Sequence, residues 1–186
     1  MVRTIRRAHA GQWRNRGRIP YWHHCVSVEE ILQGALELGR EIRTSGAVWQ
    51  DLRLAALGHD LYEDTAVRPA DIRKRFGPRV DAWIRGMTNE GGDRDRAAYV
   101  RRMRSAPEEV VLIKLADLTE NSLSVAYGIN DLGMRWIRRF FLPIVREMVP
   151  IVTARRFRHY PRTARVLKDR LAFAGKRLAE NIAKFT

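Results

Sequence analysis

Helical periodicity is the sequence feature that most limits the fold of this chain. Apolar residues recur every three or four positions over most of its length, whereas the alternation typical of strands is nearly absent. The most apolar segment runs from Glu108 to about Tyr127, and a helix that is apolar on nearly every face belongs in the centre of a core. The pattern predicts an all-α fold, a compact helical bundle of about 8–10 helices.

Local start and stop signals divide the rest of the chain into further helices. Ser27 and Glu30 form a capping box that predicts a helix start at Ser27. A second helix is predicted from about Val48 to Tyr62, and Gly91-Gly92 is predicted to be a loop. The remaining predicted helices are Ala70–Phe76 after Pro69, Arg79–Met87, Asp93–Arg104, Asp131–Phe157 with kinks at Pro143 and Pro150, and Thr163–Phe185.

Length and composition favour one soluble domain over residues 1–186, with basic C-terminal helices (131–186) following a core (1–130). Hydrophobic residues make up 45% of the chain, and no apolar run approaches the roughly 18–20 residues of a membrane span. The basic N-terminus is not followed by an apolar segment, so no secretory signal is predicted. The single cysteine, Cys25, excludes an internal disulfide and a Cys-rich zinc site, and we expect a cytoplasmic protein.

The net charge of +14 comes from 35 Lys and Arg against 21 Asp and Glu. Basic residues concentrate in Arg3–Arg18 and from Arg135 onward, whereas acidic residues lie mainly between Glu29 and Asp131. Such a charge attracts nucleotides, nucleic acids or acidic surfaces, but solvated helix faces explain it equally well. A carboxylate-rich middle between basic ends suits a metal site that receives a phosphorylated ligand.

The segment from Leu57 to Thr65 places four polar groups at the end of an apolar helix. On a continuous helix His59 and Glu63 are i,i+4 neighbours, as are Asp60 and Asp64. Carboxylates grouped next to a core repel one another unless a cation lies among them. The competing interpretation is a helix end that simply reaches solvent.

Asp117 lies in the middle of the most apolar helix, where a lone carboxylate is costly to bury. It therefore needs a metal, a cation or several hydrogen-bond donors. Asn121 follows one turn later on the same face. The alternative is that Asp117 pairs with Lys114 or caps a nearby group.

Two adjacent histidines, His23 and His24, precede the helix predicted at Ser27. Spacing alone does not decide whether either is a ligand. Two imidazoles and two carboxylates would suit Mn²⁺, Fe²⁺, Zn²⁺ or Mg²⁺. Such a metal can generate a hydroxide nucleophile, and Glu63 and Asp64 would then act as general acid/base and orienting group.

The order of these residues resembles the H…HD…D pattern of the HD phosphohydrolase superfamily. Over roughly residues 5–127 the chain is more specifically similar to the hydrolase domain of RelA/SpoT homologues. The matching motifs are H-x-G-Q-x-R at His9–Arg14, P-Y-x-x-H at Pro20–His24, H-D-x-x-E-D-T at His59–Thr65, and K-L-A-D followed by Asn at Lys114–Asn121.

This resemblance implies a stand-alone small alarmone hydrolase without the synthetase and regulatory domains of long family members. Its implied reaction is hydrolysis of the 3′-pyrophosphate of (p)ppGpp to GDP or GTP and pyrophosphate, usually with Mn²⁺. The implied metal ligands are His24, His59, Asp60 and Asp117. The implied catalytic pair is Glu63 and Asp64, and the implied substrate-binding residues are Arg14 against the guanine base, Asn121 beside the nucleotide and Ser124 near the base.

The chain also departs from the family pattern. Asn15 and Arg16 replace a basic-Ser pair, Cys25 replaces a proline and Leu118 an arginine, and nothing beyond Tyr127 matches. The altered segment Asn15–Ile19 leaves open another nucleotide as substrate: an adenine alarmone, NADPH or a nucleoside monophosphate. A non-catalytic binder of nucleotide or nucleic acid is a further alternative, which the intact acidic pair disfavours. No membrane partner is expected, and the oligomeric state stays open.

Overall fold

The structure is a computed structural model that describes residues 1–14, 17–41, 46–91 and 95–185. Twelve α-helices follow one another in this part of the chain, three of them with four residues or fewer, so the predicted all-α fold is confirmed. The first six are α1 (Val2–Ala8), α2 (Trp22–Gly39), α3 (Gly46–Leu57), α4 (Leu61–Asp64), α5 (Pro69–Phe76) and α6 (Pro78–Met87). The others are α7 (Arg96–Met103), α8 (Glu108–Tyr127), α9 (Ile129–Leu132), α10 (Met134–Trp136), α11 (Leu142–Ala154) and α12 (Pro161–Ala183).

A short antiparallel hairpin joins α1 to α2. Strand β1 (Trp13–Arg14) pairs with β2 (Ile19–Pro20), so that Trp13 lies opposite Pro20 and Arg14 opposite Ile19. This pairing directs Arg14 toward α8, where it contacts Glu120. The altered pair Asn15 and Arg16 lies outside the described residues, as do Gly92 of the predicted loop and Asp93 of the predicted helix start.

Helix α2 begins at Trp22, so the start predicted at Ser27 is wrong. The backbone of Tyr21 is already in the right-handed helical region, and the helix continues through Cys25 and Val28, both fully buried. Burial of this face outweighs the local capping preference of Ser27. As a consequence, His24 lies in the first turn of α2 on the face that packs into the core.

The helix predicted to continue through Tyr62 stops at Leu57, and α4 starts separately at Leu61. Gly58 occupies the break, where a Cβ would lie 2.7 Å from Ile84 Cδ1, so the close packing of α6 favours glycine there. His59 and Asp60 therefore lie in a turn between two helices. The i,i+4 geometry expected from one continuous helix does not apply to His59 and Glu63.

Helix α8 has the predicted bounds and runs through the centre of the fold. It packs against α2, α6, α11 and α12. The principal core combines buried residues from α1 to α8 with Met148, Val152, Leu167 and Leu171 of the C-terminal helices. Asp117 is thus surrounded by apolar packing on the central helix.

The C-terminal region is divided more often than predicted. Short helices α9 and α10 lead into a π-helix (Ile137–Phe141), and α11 follows with Pro143 in its first turn and Pro150 inside it. Helix α12 is held to the rest of the fold by Glu41, whose carboxylate accepts hydrogen bonds from the backbone N–H groups of Arg162 (2.6 Å) and Thr163 (2.9 Å). These N–H groups at a helix start have no partner within the helix, so Glu41 caps α12.

Among the described residues, none of the helices combines the length and apolar content that a bilayer crossing requires.

Candidate metal centre

The turn between α3 and α4 orients His59 into the protein. Its Nδ1 lies 2.8 Å from the carbonyl oxygen of Ala56, which can only accept, so Nδ1 carries the proton. The lone pair of Nε2 therefore points away from this carbonyl. It faces His24, whose Nε2 is 3.2 Å away.

His24 is oriented in the same manner by a carboxylate. Its Nδ1 lies 2.5 Å from Oε2 of Glu120, a residue of α8, which leaves Nε2 directed at His59. A ligand histidine commonly donates its other ring N–H to a carboxylate or carbonyl, which fixes the tautomer and the ring orientation. Both imidazoles have this arrangement.

Two carboxylate oxygens lie close to the paired imidazole nitrogens. Asp60 Oδ2 is 3.3 Å from His24 Nε2 and 3.1 Å from His59 Nε2. Asp117 Oδ1 is 3.4 Å and 3.6 Å from the same two atoms. His24, His59 and Asp60 form a group whose ligand atoms all lie within 4.8 Å of one another, as a shared metal ion would require. The structure therefore brings together all four residues predicted to be ligands.

The charges of this group are strongly coupled. Burial alone lowers the pKa of His59, but the carboxylates of Asp60 and Asp117 outweigh it and raise the pKa to about 9. Burial alone raises the pKa of Asp60, but His59 and His24 hold it well below its usual range. The carboxylates thus stabilise positive charge at the centre, which is the electrostatic condition for holding a divalent cation.

Asp117 also has two partners on its own helix. Lys114 Nζ donates to Oδ2 at 2.8 Å, and Asn121 Nδ2 donates to Oδ1 at 2.6 Å. The alternative prediction, a pair with Lys114, therefore describes one oxygen of Asp117, while the other oxygen faces the imidazoles. Burial raises the pKa of Asp117, but Lys114 and the two histidines hold it well below its ordinary value.

Glu63 and Asp64, predicted to be the catalytic pair, lie on α4 at the edge of the metal centre. Glu63 accepts a hydrogen bond from the backbone N–H of Asn89 at 3.0 Å. Burial, followed by the charges of Asp60 and Asp64, raises the pKa of Glu63 despite this bond. Burial and Asp60 likewise raise the pKa of Asp64. Raised carboxyl pKa values suit groups that exchange protons near neutral pH.

A cavity of about 410 Å³ connects the acidic pair with the metal centre. One wall carries His24, Asp60, Asp117, Glu63 and Asp64. The C-terminal region adds the largely apolar lining residues Trp136, Phe141, Ile144 and Met148. The volume lies within the range of about 300–1,000 Å³ that is usual for small-molecule sites.

The three predicted substrate-binding residues differ in position. Asn121 lines the cavity, and its Oδ1 accepts a hydrogen bond from Arg14 at 2.8 Å. Arg14 lies behind it, with its guanidinium bound to Glu120 at 2.9 Å. Ser124 is half-buried one turn beyond Asn121 on α8, and neither it nor Arg14 is part of the cavity wall.

Two residues that support the site were not predicted from the sequence. Glu120 bridges His24 and Arg14. Tyr21 donates from its hydroxyl toward Asp60 (2.9 Å) and Asp64 (2.8 Å), so it joins a predicted ligand to the predicted acidic pair. Both lie inside the motifs, at Pro20–His24 and Lys114–Asn121, which is the only signal the sequence offers for them.

Curated proteins of the alarmone system are similar in sequence to part of this chain. A guanosine-3′,5′-bis(diphosphate) 3′-pyrophosphohydrolase of Haemophilus influenzae is 33% identical over 129 residues, 62% of this chain and 17% of its own length. The bifunctional (p)ppGpp synthase/hydrolase SpoT of Escherichia coli is 35% identical over 127 residues, which are 63% of this chain and 16% of SpoT. A GTP pyrophosphokinase of Streptomyces coelicolor is 34% identical over 128 residues, which are 65% of this chain and 14% of the pyrophosphokinase. The matched region is thus a small part of each relative.

A solved structure of a metazoan SpoT ortholog, described as hydrolysing ppGpp and acting in starvation responses, has the same fold. The TM-score is 0.72 with 21% sequence identity, over 94% of this chain and 91% of the other. The HD domain profile matches residues 2–127, more than half of the chain and all of the residues that form the metal centre. The chain belongs to the HD domain family.

Proposed function

We propose that this protein is a metal-dependent hydrolase that removes the 3′-pyrophosphate of (p)ppGpp, giving GDP or GTP and pyrophosphate. The observation that carries the proposal is the convergence of two imidazole nitrogens and two carboxylate oxygens, with each nitrogen 3.1–3.6 Å from each oxygen. The acidic pair Glu63 and Asp64 lines the same cavity. An arrangement of this kind supports hydrolysis by an activated water.

The relatives support the choice of substrate. The Haemophilus protein bears the name of this hydrolase, and the Escherichia protein is named as both synthase and hydrolase of (p)ppGpp. The Streptomyces protein is named for the opposite pyrophosphate transfer, but the chain spans only 14% of it. The HD domain match contains the proposed metal ligands and the acidic pair, which favours the hydrolytic reaction for this chain.

The donor set fits a divalent metal ion. We propose that His24, His59, Asp60 and Asp117 hold it, since each imidazole keeps a proton on Nδ1 and presents Nε2 to the centre, where a metal would displace a proton, and two carboxylates supply the compensating charge. Mixed nitrogen and oxygen ligands suit Mn²⁺, our first choice, and other divalent cations remain candidates. When bound, such a cation lowers the pKa of a water molecule and neutralises phosphate charge.

The acidic pair supplies the proton transfer. Glu63 and Asp64 face the cavity with raised pKa values, so at neutral pH either can accept a proton from the attacking water and return it to the leaving pyrophosphate. Tyr21 positions Asp64 through its hydroxyl. Lys114, which also lines the cavity, stabilises the anionic form of Asp117.

Arg14, Asn121 and Ser124 are proposed to bind the nucleoside part of the substrate. Arg14 is fixed by Glu120 and Asn121, and its guanidinium lies 6.0 Å from the ring centre of Tyr21. A planar guanidinium fixed in one orientation is suited to stacking on a base. Asn121 offers an amide at the wall of the cavity for hydrogen bonding.

The test is a hydrolysis assay on purified protein with Mn²⁺ and ppGpp, following GDP and pyrophosphate. We expect turnover that is lost in Glu63→Gln and in Asp64→Asn, each with an intact metal content. The matched control is Glu37→Gln, which makes the same change at an exposed position of α2 and should retain full activity. A metal-loaded, folded protein that releases no pyrophosphate from ppGpp would remove the proposal.

A panel of guanine and adenine nucleotides, with NADPH, defines the base preference. The lining residues Trp136, Phe141, Ile144 and Met148 offer one side-chain hydrogen-bond donor, the indole N–H of Trp136, so they do not by themselves select guanine over adenine. A higher kcat/KM for an adenine substrate would replace (p)ppGpp in the proposal while keeping the metal-dependent chemistry.

The exposed residues Arg135, Arg138 and Arg139 are the feature that would suit a non-catalytic nucleic-acid binder. RNA binding that depends on salt and survives Asp60→Ala and Glu63→Ala would favour that function. We place it behind hydrolysis because pure binding does not require an acidic pair beside a metal centre.

A further inference from the structure

A second and larger cavity lies outside the metal centre. It has a volume of about 860 Å³ and is formed by α1, α5 and the segment between α4 and α5. We call it the arginine groove, because Arg3 and Arg7 of α1 and Arg75 of α5 line it together with the floor residues Thr65, Ala66 and Val67. None of the residues proposed for metal binding or proton transfer lines this groove.

The charge inside the arginine groove is strongly positive. Its acidic lining residue, Asp71, is already bound by Arg68 through two hydrogen bonds of 3.0 and 3.1 Å. Within the described residues, Arg3 and Arg7 make no ion pair with a carboxylate. Arginines that line one concave surface without an acidic partner favour a phosphorylated ligand, whose oxygens their planar donors can bind in pairs.

The remaining lining of the groove is mainly apolar and includes Ala8, Ala66, Val67 and Ile72. Inorganic phosphate would leave this surface in contact with water, whereas a ligand with a ring system would cover it. The volume also fits a ligand of nucleotide size. We propose that the arginine groove binds a phosphorylated nucleotide at a second site, separate from the metal centre.

The groove adjoins the segment that carries the proposed catalytic pair. Thr65 follows Asp64 directly, and its hydroxyl donates to the carbonyl of Leu61 (2.5 Å) and accepts from the N–H of Val67 (3.1 Å). Gln12, which follows α1 in the chain, donates to the carbonyl of Asp64 at 2.7 Å. A nucleotide bound in the groove would therefore lie against Thr65, whose hydroxyl bonds to the backbone of α4.

Isothermal titration of GDP into the full-length protein with excess EDTA tests the proposal, since metal-dependent binding is then suppressed. The double variant Arg7→Glu/Arg75→Glu should weaken GDP binding by at least about tenfold, because it replaces two phosphate donors with repelling charges. The control is Arg73→Glu/Lys74→Glu, which makes the same change in net charge on exposed positions of α5 outside the groove. We expect the control to bind GDP within about twofold of the parent protein.

Circular dichroism and thermal unfolding confirm that both variants are folded before the comparison is made. Equal loss of GDP binding in both double variants would show a general charge effect and overturn the proposal, as would no loss in either. Pyrophosphate alone binding as tightly as GDP would also overturn it, since the apolar lining would then contribute nothing. The outcome is independent of hydrolysis, because GDP binding without metal is measured whether or not the protein cleaves ppGpp.

Discussion

Substitution of Glu120 by alanine tests whether the metal centre depends on a group outside the proposed ligand set. Glu120 accepts a hydrogen bond from His24 Nδ1 at 2.5 Å and binds Arg14 at 2.9 Å. Without it, the His24 ring loses the contact that keeps Nε2 directed at His59. Burial would then lower the pKa of His24 with one fewer carboxylate opposing it.

The size of the effect follows from this arrangement. Loss of a carboxylate behind a ligand histidine typically costs about 10–100-fold in metal affinity or activity. Because the side chains of His24, Glu120 and Arg14 are exposed by only 2%, 14% and 18%, the donors left without a partner should also lower the free energy of unfolding by about 1–3 kcal/mol. Arg14 keeps its hydrogen bond to Asn121, which limits the loss of stability.

Mn²⁺ affinity is measured by competition with a chelator, and stability by denaturant unfolding of the metal-free protein. Glu109→Ala is the matched control, because Glu109 lies on the same helix and accepts a hydrogen bond from Tyr160 far from the metal centre. We expect the control to lose stability without losing metal affinity. Unchanged Mn²⁺ affinity in Glu120→Ala would refute the argument that this carboxylate orients His24.

Four other predictions follow from the structure. Tyr21→Phe removes a hydrogen bond that lowers the pKa of Asp64, so this pKa should rise and the acidic limb of the kcat/KM profile should move to higher pH. Mn²⁺ at about 100 times its Kd should raise the free energy of unfolding by about 2.7 kcal/mol, and chelation should abolish the gain in denaturant titrations. Gly39→Ala should lower the free energy of unfolding by about 1–3 kcal/mol, because its Cβ would lie 2.6 Å from the backbone nitrogen of Thr163. Gly175→Ala, in open space on α12, should raise it by about 0.5–1 kcal/mol in the same assay.

Helix boundaries were predictable where a local signal acts alone. Pro69 and Pro107 mark the starts of α5 and α8, because proline is compatible with a helix start and disrupts a helix interior. Ser27 failed as a start signal because the packing of α2 extends the helix upstream. The break at Gly58 depends on the approach of Ile84 from another helix, which no local pattern contains.

The sequence predicts those site residues whose polar or charged side chains are unusual in an apolar stretch of the chain. An aspartate in the most apolar helix and a His-Asp pair after an apolar run both require an explanation, and the structure brings them together. The supporting contacts were not predictable in this way. Glu120 and His24 are 96 positions apart in the chain, and their pairing depends on how α2 crosses α8. The apolar lining residues Trp136 and Met148 lie beyond the motifs altogether.

The packing of α12 affects where this chain can be shortened. The HD domain match ends at residue 127, but α12 lies against α8 and α2, and its Leu167 and Leu171 belong to the same core as the central helix. A chain cut at residue 127 would expose the back of the helix that carries Asp117, and we expect it to aggregate. The limit of sequence similarity is therefore not a safe place for a stop codon, and deletion studies of this protein should retain α12.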